Sequence, residues 1–330
     1  MKISFIIPVF NRPDETAELL QSLSLQIDRD FEVIIVEDGS CLSSEAVVDT
    51  FRGQLDIRYF YKENSGPGPS RNFGCERASG EYVIFLDSDC VLPEAYLETV
   101  KERLESNYTD AFGGPDRAHK DFTRLQKAIN FSMTSFLTTG GIRGGNEKMG
   151  KFYPRSFNMG FSKKVFAASG GFSSMRFGED VDLSIRIREL GFTTQLIREA
   201  FVYHKRRTSL RQFFKQVYNS GIARINLNKR HPGTLKLVHS APALFTLGLL
   251  LLLVLSPLLS WFLLLSVLCH ILLLFLSAAI KTGRLSIAFL AVLTSYTQLL
   301  GYGTGFLHAF WKRSILGRDE YSAFNKNFYK

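Results

Sequence analysis

VIFLDSDC, from Val83 to Cys90, is the stretch that decides the fold. A run of apolar strand formers ends on two aspartates, Asp87 and Asp89, with one residue between them. Two carboxylates that close repel each other, and a strand end gives them little water, so a compensating positive group is expected beside them. Working outward, ISFIIPVF (3–10), FEVIIVED (31–38), DIRYFYK (56–62) and EYVIFLD (81–87) read as buried strands. Between them, DETAELLQSLSLQ (14–26), with Leu19, Leu20, Leu23 and then Ile27, EAVVDTFRG (45–53) and GPGPSRNFGCERASG (66–80) read as helical segments. Strands alternating with helices indicate βαβ units and a mostly parallel, Rossmann-like α/β sheet. In such sheets ligands sit outside the carboxyl ends of the strands, where this chain places Asn11, Glu37, Asp38, Asp87 and Asp89.

From about Phe112 to Arg155 the pattern loosens, and GGPD and TTGGIRGGNEKMGKFYP are rich in glycine and charge. This segment reads as mobile, lying over a site and contributing no core element. GEDVDLSIRIRELGF (178–192) follows as a helix whose acidic first turn suits the helix dipole, and FVYHK (201–205) as a last short strand.

The chain has 330 residues, enough for one large domain plus an appendage. It is 45% hydrophobic, and its net charge of +9 suits an anionic partner: nucleic acid, membrane phospholipid or a phosphorylated substrate. Its mean hydropathy of +0.02 is high for a purely soluble enzyme. Cys41, Cys75, Cys90 and Cys269 include no CxxC pair, which argues against a zinc site or disulfide framework and fits a reducing compartment. The N-terminal apolar run is too short for a signal peptide.

The excess apolarity lies at the C-terminal end. From Arg198 to Lys236 the cations are Arg198, Lys205, Arg206, Arg207, Arg211, Lys215, Arg224, Lys229, Arg230 and Lys236, against Glu199. Leu210, Phe213, Phe214, Val217, Gly221 and Ile225 share one helical face, the pattern of a basic amphipathic helix at a membrane surface or of an ordinary helix packing on the globular domain, and the apolar stretch that follows favours the first. Between Lys236 and Lys281 there is no charged side chain. That stretch is about twice the ~20 residues that span a bilayer, with SPLLSW (256–261) as a turn. A weaker apolar segment runs from Leu285 to Phe310 and ends on Trp311, Lys312 and Arg313. The division expected is 1–207 globular, 208–236 juxtamembrane, 237–313 two to three membrane helices and 314–330 a basic cytoplasmic or interfacial tail. The positive-inside rule puts the basic region on the cytoplasmic face; a third crossing would place Lys312, Arg313 and Arg318 outside, against that rule, so either the third segment is re-entrant or interfacial or the count of spans is off by one.

A carboxylate pair on a tight turn after a buried strand can hold a hard divalent cation, Mn²⁺ or Mg²⁺. Asp89 could equally cap a helix beginning near Pro93. His204 reads either as a further ligand or as a surface histidine among cations. Glu179, Asp180 and Asp182 could simply favour a helix N-terminus.

Taken together, FIIPVFNRP, VIIVEDGS, NSGPGPSRNFG, YVIFLDSD and FGEDVDLSIRIRELGF resemble the family 2 glycosyltransferases of the GT-A fold, over roughly residues 1–207. The resemblance implies a nucleotide-sugar donor, a divalent metal (Mn²⁺ or Mg²⁺) and inversion at the anomeric carbon. It implies donor contacts at Pro8, Val9, Asn11, Glu37, Asp38, Arg71, Asp87 and Ser88. Metal ligands would be Asp87, Asp89 and His204; the catalytic base would be Asp180, with Glu179 on the acceptor side. Glu37 departs from the aspartate often found there.

DSDCVLPE lacks the Leu-Gln and one proline of relatives that glycosylate polyprenyl phosphate, which remain the alternative reading. A base would be superfluous on such an ionised acceptor, so Asp180 argues for a hydroxyl. No QxxRW follows, as it does in processive synthases, so one sugar per encounter is expected. The apolar tail suggests a saccharide or lipid-linked saccharide acceptor in cell-surface polysaccharide or glycolipid assembly, and membrane lipids as partners. Nucleic acid is not expected, because the cations cluster beside the apolar tail and no RNA-binding signature is present. An inactive scaffold is disfavoured by the intact DSD and ED.

Overall fold

The computed structural model describes residues 1–119, 121–140 and 152–324. The chain forms two compact units, one of residues 1–119 and 150–205, the other of residues 120–149 and 206–330.

The first unit is a three-layer α/β/α domain. Its elements in chain order are β1 (Ile3–Val9), α1 (Pro13–Ser24), β2 (Phe31–Asp38), α2 (Glu45–Phe51), β3 (Ile57–Lys62), α3 (Pro67–Arg77), β4 (Tyr82–Leu86), β5 (Cys90–Val91), α4 (Tyr96–Ser106), β6 (Ala111–Gly113) and β7 (Asp116–Arg117). Further along the chain, and past α5 (Arg124–Thr134) and α6 (Phe136–Thr139) of the second unit, come β8 (Asn158–Ser162), α7 (Lys163–Ser169), α8 (Glu179–Glu189), β9 (Thr194–Leu196) and β10 (Val202–His204). Seven strands form one sheet in the order β3-β2-β1-β4-β8-β6-β9. It is parallel except where β8 runs against β4 and β6.

The period of two sorts each strand between two cores. Phe5, Ile7, Val33, Ile35 and Ile84 face α1, α2 and α4, whereas Ile6, Ile34, Val83 and Phe85 face α3, α7 and α8. Both faces being covered, β1, β2 and β4 are largely apolar, as expected. Pro13 at the first position of α1 and Pro67 at that of α3 start the helices, since the missing N–H is one that a helix start leaves unpaired anyway.

Charged groups also lie buried inside this sheet, and one of them is Glu32 of β2. Glu32 is 2% exposed and accepts from Ser4 Oγ at 2.5 Å, Ser79 Oγ at 2.9 Å and Arg58 Nη2 at 2.7 Å. Burial alone would raise its carboxyl, but these donors overcome that and bring it down to about 2. A depressed carboxyl stabilises the fold above the unfolded value of 4.5 and loses that contribution as pH falls towards 2. Glu32→Ala is expected to cost about 2–3 kcal/mol at pH 7 and much less below pH 3, read from urea midpoints of the soluble domain or the detergent-held chain. An unchanged midpoint at pH 7 would refute this.

A second sheet, β5-β10-β7, is small but sets the site. β10 pairs antiparallel with β5, His204 opposite Cys90 and Tyr203 opposite Val91.

The described residues of the second unit form helices and no strand: α5, α6, α9 (Leu210–Arg230), α10 (Leu237–Leu255), α11 (Leu265–Thr282) and α12 (Leu285–Ala309). Residues 120–149 group with this unit, whereas a linear division at 207 leaves them with the first. The mobile segment expected between Phe112 and Arg155 therefore contains core. Thr123 Oγ1 accepts from Gln126 N and the Gln126 side chain accepts from Thr123 N, a capping box that starts α5. Ala128 and Phe131 of α5 then pack with Ala288 and Ala291 of α12. The glycine-rich part, 141–151, lies outside the described residues.

Among the described residues, three helical stretches are long and apolar enough to cross a membrane: Leu237–Leu255, Trp261–Thr282 and Leu285–Ile315, with mean hydropathies of 2.1, 2.6 and 1.4. α9 buries Phe213, Val217, Gly221 and Ile225 of the predicted face, and Phe214 is half-buried.

Candidate active site

Arg71 is the hub. It lies on α3, is 3% exposed, and reaches two acidic groups from distant parts of the chain. Nη2 donates to Asp87 Oδ1 at 2.7 Å and Nη1 to Glu179 Oε1 at 2.9 Å. Phe172 packs under the guanidinium, 5.3 Å from its ring centre. Burial would lower the Arg71 pKa, but the flanking carboxylates of Asp87 and Glu179 more than reverse it. The charge expected beside the aspartate pair is therefore this arginine together with Arg12, whose Nη1 donates to Asp89 Oδ2 at 2.6 Å. Asp89 does not cap the helix after Pro93: α4 has Ala95 at its N-cap and no side-chain cap bond.

On the other side of Asp89, Oδ1 is 3.0 Å from His204 Nε2, and Asp87 Oδ2 is 3.9 Å from the same nitrogen. Phe157 stacks on the imidazole at 5.0 Å, which fixes its plane. The β5–β10 register makes this meeting: His204 sits opposite Cys90, one residue past Asp89. Asp89, Cys90 and His204 each offer a ligand atom within 4.8 Å of the others. Burial, then Asp89 and Asp87, push the Cys90 thiol well up, and its Sγ lies 3.4 Å from Phe157 O. A protonated, buried thiol is a poor ligand. Carboxylate oxygens with one imidazole remain as the donor set, and that chemistry fits Mn²⁺ or Mg²⁺.

Glu179 and Asp180 open α8 after Gly178, which takes a left-handed conformation at φ 88. Asp180 is 5% exposed. Its Oδ2 accepts from Arg155 Nε at 2.6 Å and its Oδ1 from Val181 N at 2.8 Å. Burial pulls its pKa up, but Arg155 and then Arg71 outweigh that and leave it below the ordinary carboxylate value. Glu179 goes the other way: burial first, then the charge of Asp180, raise it to about 7. The adjacent acids are thus split, Asp180 held ionised and Glu179 readily protonated, a division typical of sites that handle protons.

The remaining candidates at the strand ends are spent on loop geometry. Glu37 is fully buried; it accepts from Ser40 Oγ, from Ser44 N at 2.8 Å and from Tyr59 OH at 3.3 Å. Asp38 accepts from Lys62 Nζ at 2.6 Å, Ser65 N at 2.9 Å and Gly66 N at 2.8 Å. Asn11, at φ +54, accepts from the backbone N–H groups of Cys41 and Leu42 at 2.7 and 2.9 Å. Gly39 between these loops has φ +72, and a side chain there would strike the Asn64 backbone. Pro8 and Val9 end β1, and Ser88 is buried between the two aspartates.

Sequence reasoning missed Arg12, Arg155 and Cys90. Arg12 stands in the NRP turn between β1 and α1, where its position beside Asn11 was a usable signal. Arg155 lies 25 residues before Asp180 with nothing local to mark it.

The sequence profile of glycosyl transferase family 2 matches residues 4–177. An uncharacterized glycosyltransferase of Rickettsia felis is 37% identical over 106 residues, 32% of this chain and 18% of that protein. The GalNAc(5)-diNAcBac-PP-undecaprenol beta-1,3-glucosyltransferase of Campylobacter jejuni is 29% identical over 196 residues, 56% of this chain and 59% of that protein. The chain thus spans less than two thirds of either relative. Among solved structures, the mannosyltransferase PcManGT of Pyrobaculum calidifontis, in complex with GDP-Man and Mn²⁺, superposes with a TM-score of 0.60 at 16% identity, over 94% of this chain and 88% of that one. At that identity the likeness is one of fold.

Proposed function

The chain belongs to glycosyl transferase family 2, and from that premise we propose that it moves one hexosyl- or N-acetylhexosaminyl-type sugar, with inversion, from a nucleotide-sugar donor to a hydroxyl of a lipid-linked saccharide. The observation that carries the reading is the Arg71 bridge: one buried guanidinium ties Asp87, at the strand end, to the Glu179–Asp180 pair on α8. Donor-side and acceptor-side acids thereby form one connected cluster.

The roles follow from the charge states. Asp180, held ionised, takes the proton of the acceptor hydroxyl as its oxygen bonds to the anomeric carbon. On the opposite side of that carbon the bond to the nucleotide diphosphate breaks, and the diphosphate leaves with the electron pair. Asp87, Asp89 and His204 would hold a divalent ion, which supplies positive charge to the departing diphosphate. Asn11, Glu37 and Asp38 act by fixing the loops that frame the nucleobase end, beside Pro8 and Val9. The apolar helices hold the enzyme at the membrane, with the catalytic unit on the cytoplasmic face, where the basic residues before Leu237 meet anionic lipid.

The test is a thermal-shift panel of nucleotide diphosphates and nucleotide sugars, with and without Mn²⁺. Stabilisation by one base, larger with Mn²⁺, is expected. No response to any of them would sink the proposal.

A further inference from the structure

We propose that α12 lies along the membrane surface without crossing it, so that the chain enters and leaves the bilayer from one side. The proposal rests on the reading of α10 and α11 as membrane-spanning.

The first observation is where the chain goes after α12. Asn219 of α9 donates to Ala323 O at 3.0 Å and accepts from Ala323 N at 2.8 Å. Asn226 donates to Tyr321 O at 3.0 Å, and Arg230 pairs with Glu320 at 2.8 Å. The tail is thus bonded along α9. The chain leaves α9 by a turn in which Leu235 N donates to Asn228 Oδ1 at 3.2 Å, and α10 starts two residues later. The end of α12 therefore returns to the level at which α10 begins. A crossing would separate the two by the ~30 Å of a hydrocarbon core.

The second observation is what covers α12. Its small residues are contact points: a side chain on Gly305 would strike the Tyr218 carbonyl of α9, and one on Gly303 the Pro242 carbonyl near the start of α10. Its other end packs Ala288 against Ala278, near the end of α11. α12 thus lies across the open half of the α10–α11 hairpin, its middle reaching Phe245 and His270, where Tyr296 OH is 3.2 Å from His270 Nδ1. Of its most apolar window 39% is buried, against 17% and 11% for the other two stretches. A crossing α12 would also carry α9, which it packs against at Gly221 and Gly305, into the hydrocarbon with Arg224, Lys229 and Arg230, where charged side chains are strongly disfavoured. Leu285, Phe289 and Leu293 stay exposed on the uncovered side, the stripe an in-plane helix lays on lipid.

The test is labelling with a membrane-impermeant maleimide in sealed vesicles of both orientations, using the full chain carrying Cys269→Ser. Cys41 is exposed and reports the face of the catalytic unit; Cys75 and Cys90 are buried. A cysteine introduced by Arg318→Cys is expected to label from the same face as Cys41 and to lose labelling when that face is sealed inside. One introduced by Leu258→Cys, in the hairpin turn, is expected to be shielded or to label from the other face. Labelling of the 318 position from the face opposite Cys41 would overturn the proposal. Labelling of the 258 position from the Cys41 face would instead remove the premise that the hairpin crosses, and the two-crossing count with it.

Discussion

Asp180→Asn is expected to lower the rate of sugar transfer by about 10²–10⁴-fold, the usual worth of a positioned general base. The substitution keeps the shape and the hydrogen bond from Val181 N but removes the proton acceptor. Donor binding should survive, because the donor-side aspartates are held by Arg12 and Arg71. The measurement is single-turnover transfer beside nucleotide-dependent thermal shift. A variant within threefold of the parent would move the base elsewhere, with Glu179 next in line. The pH profile makes the same argument from another side. A base works only when ionised, and Arg155 and Arg71 hold Asp180 below the ordinary carboxylate value despite its burial. Its acid limb should therefore lie below that value, with the rate falling only as pH drops through it.

Asp89→Ala is expected to abolish the metal-dependent part of the nucleotide diphosphate response and to cut transfer by about 10²-fold or more, since charge placed on a leaving diphosphate is worth several kcal/mol. The residue is the meeting point of Arg12 and His204, so its removal leaves the imidazole without its nearest carboxylate. The fold should tolerate the change, because Asp89 caps no helix and lies outside both apolar clusters. The check is thermal shift with a Mn²⁺ titration, supported by isothermal titration of nucleotide. A Mn²⁺-dependent shift that persists in this variant would take the metal away from the DSD turn and leave Asp89 as an anchor for Arg12.

β1 to β4 of the main sheet were legible because burial leaves continuous apolar runs, and the acids at their carboxyl ends stood out against them, whereas β6, β8 and β9, of three to five residues, were too short to leave such a run. The loosened stretch before Arg155 was misread because its glycines and charges drowned the signal of α5: the Thr123–Gln126 cap and the apolar face holding Ala128 and Phe131. Ion pairing was less legible still. Arg155 and Asp180, or Arg12 and Asp89, are 25 and 77 residues apart, and a pair formed across a sheet edge leaves no periodic trace.

The amino-acid sequence by itself determined the α/β class, the acidic carboxyl edge of the sheet and the concentration of apolar residues in the last third of the chain. Each is a local pattern, set by side-chain period and composition. Only the tertiary structure decided which acid stays ionised, which residues surround Asp89, and that the tail after α12 folds back onto α9. Those depend on distances between segments far apart in sequence, and electrostatic and packing energies follow such distances, not the order of residues along the chain.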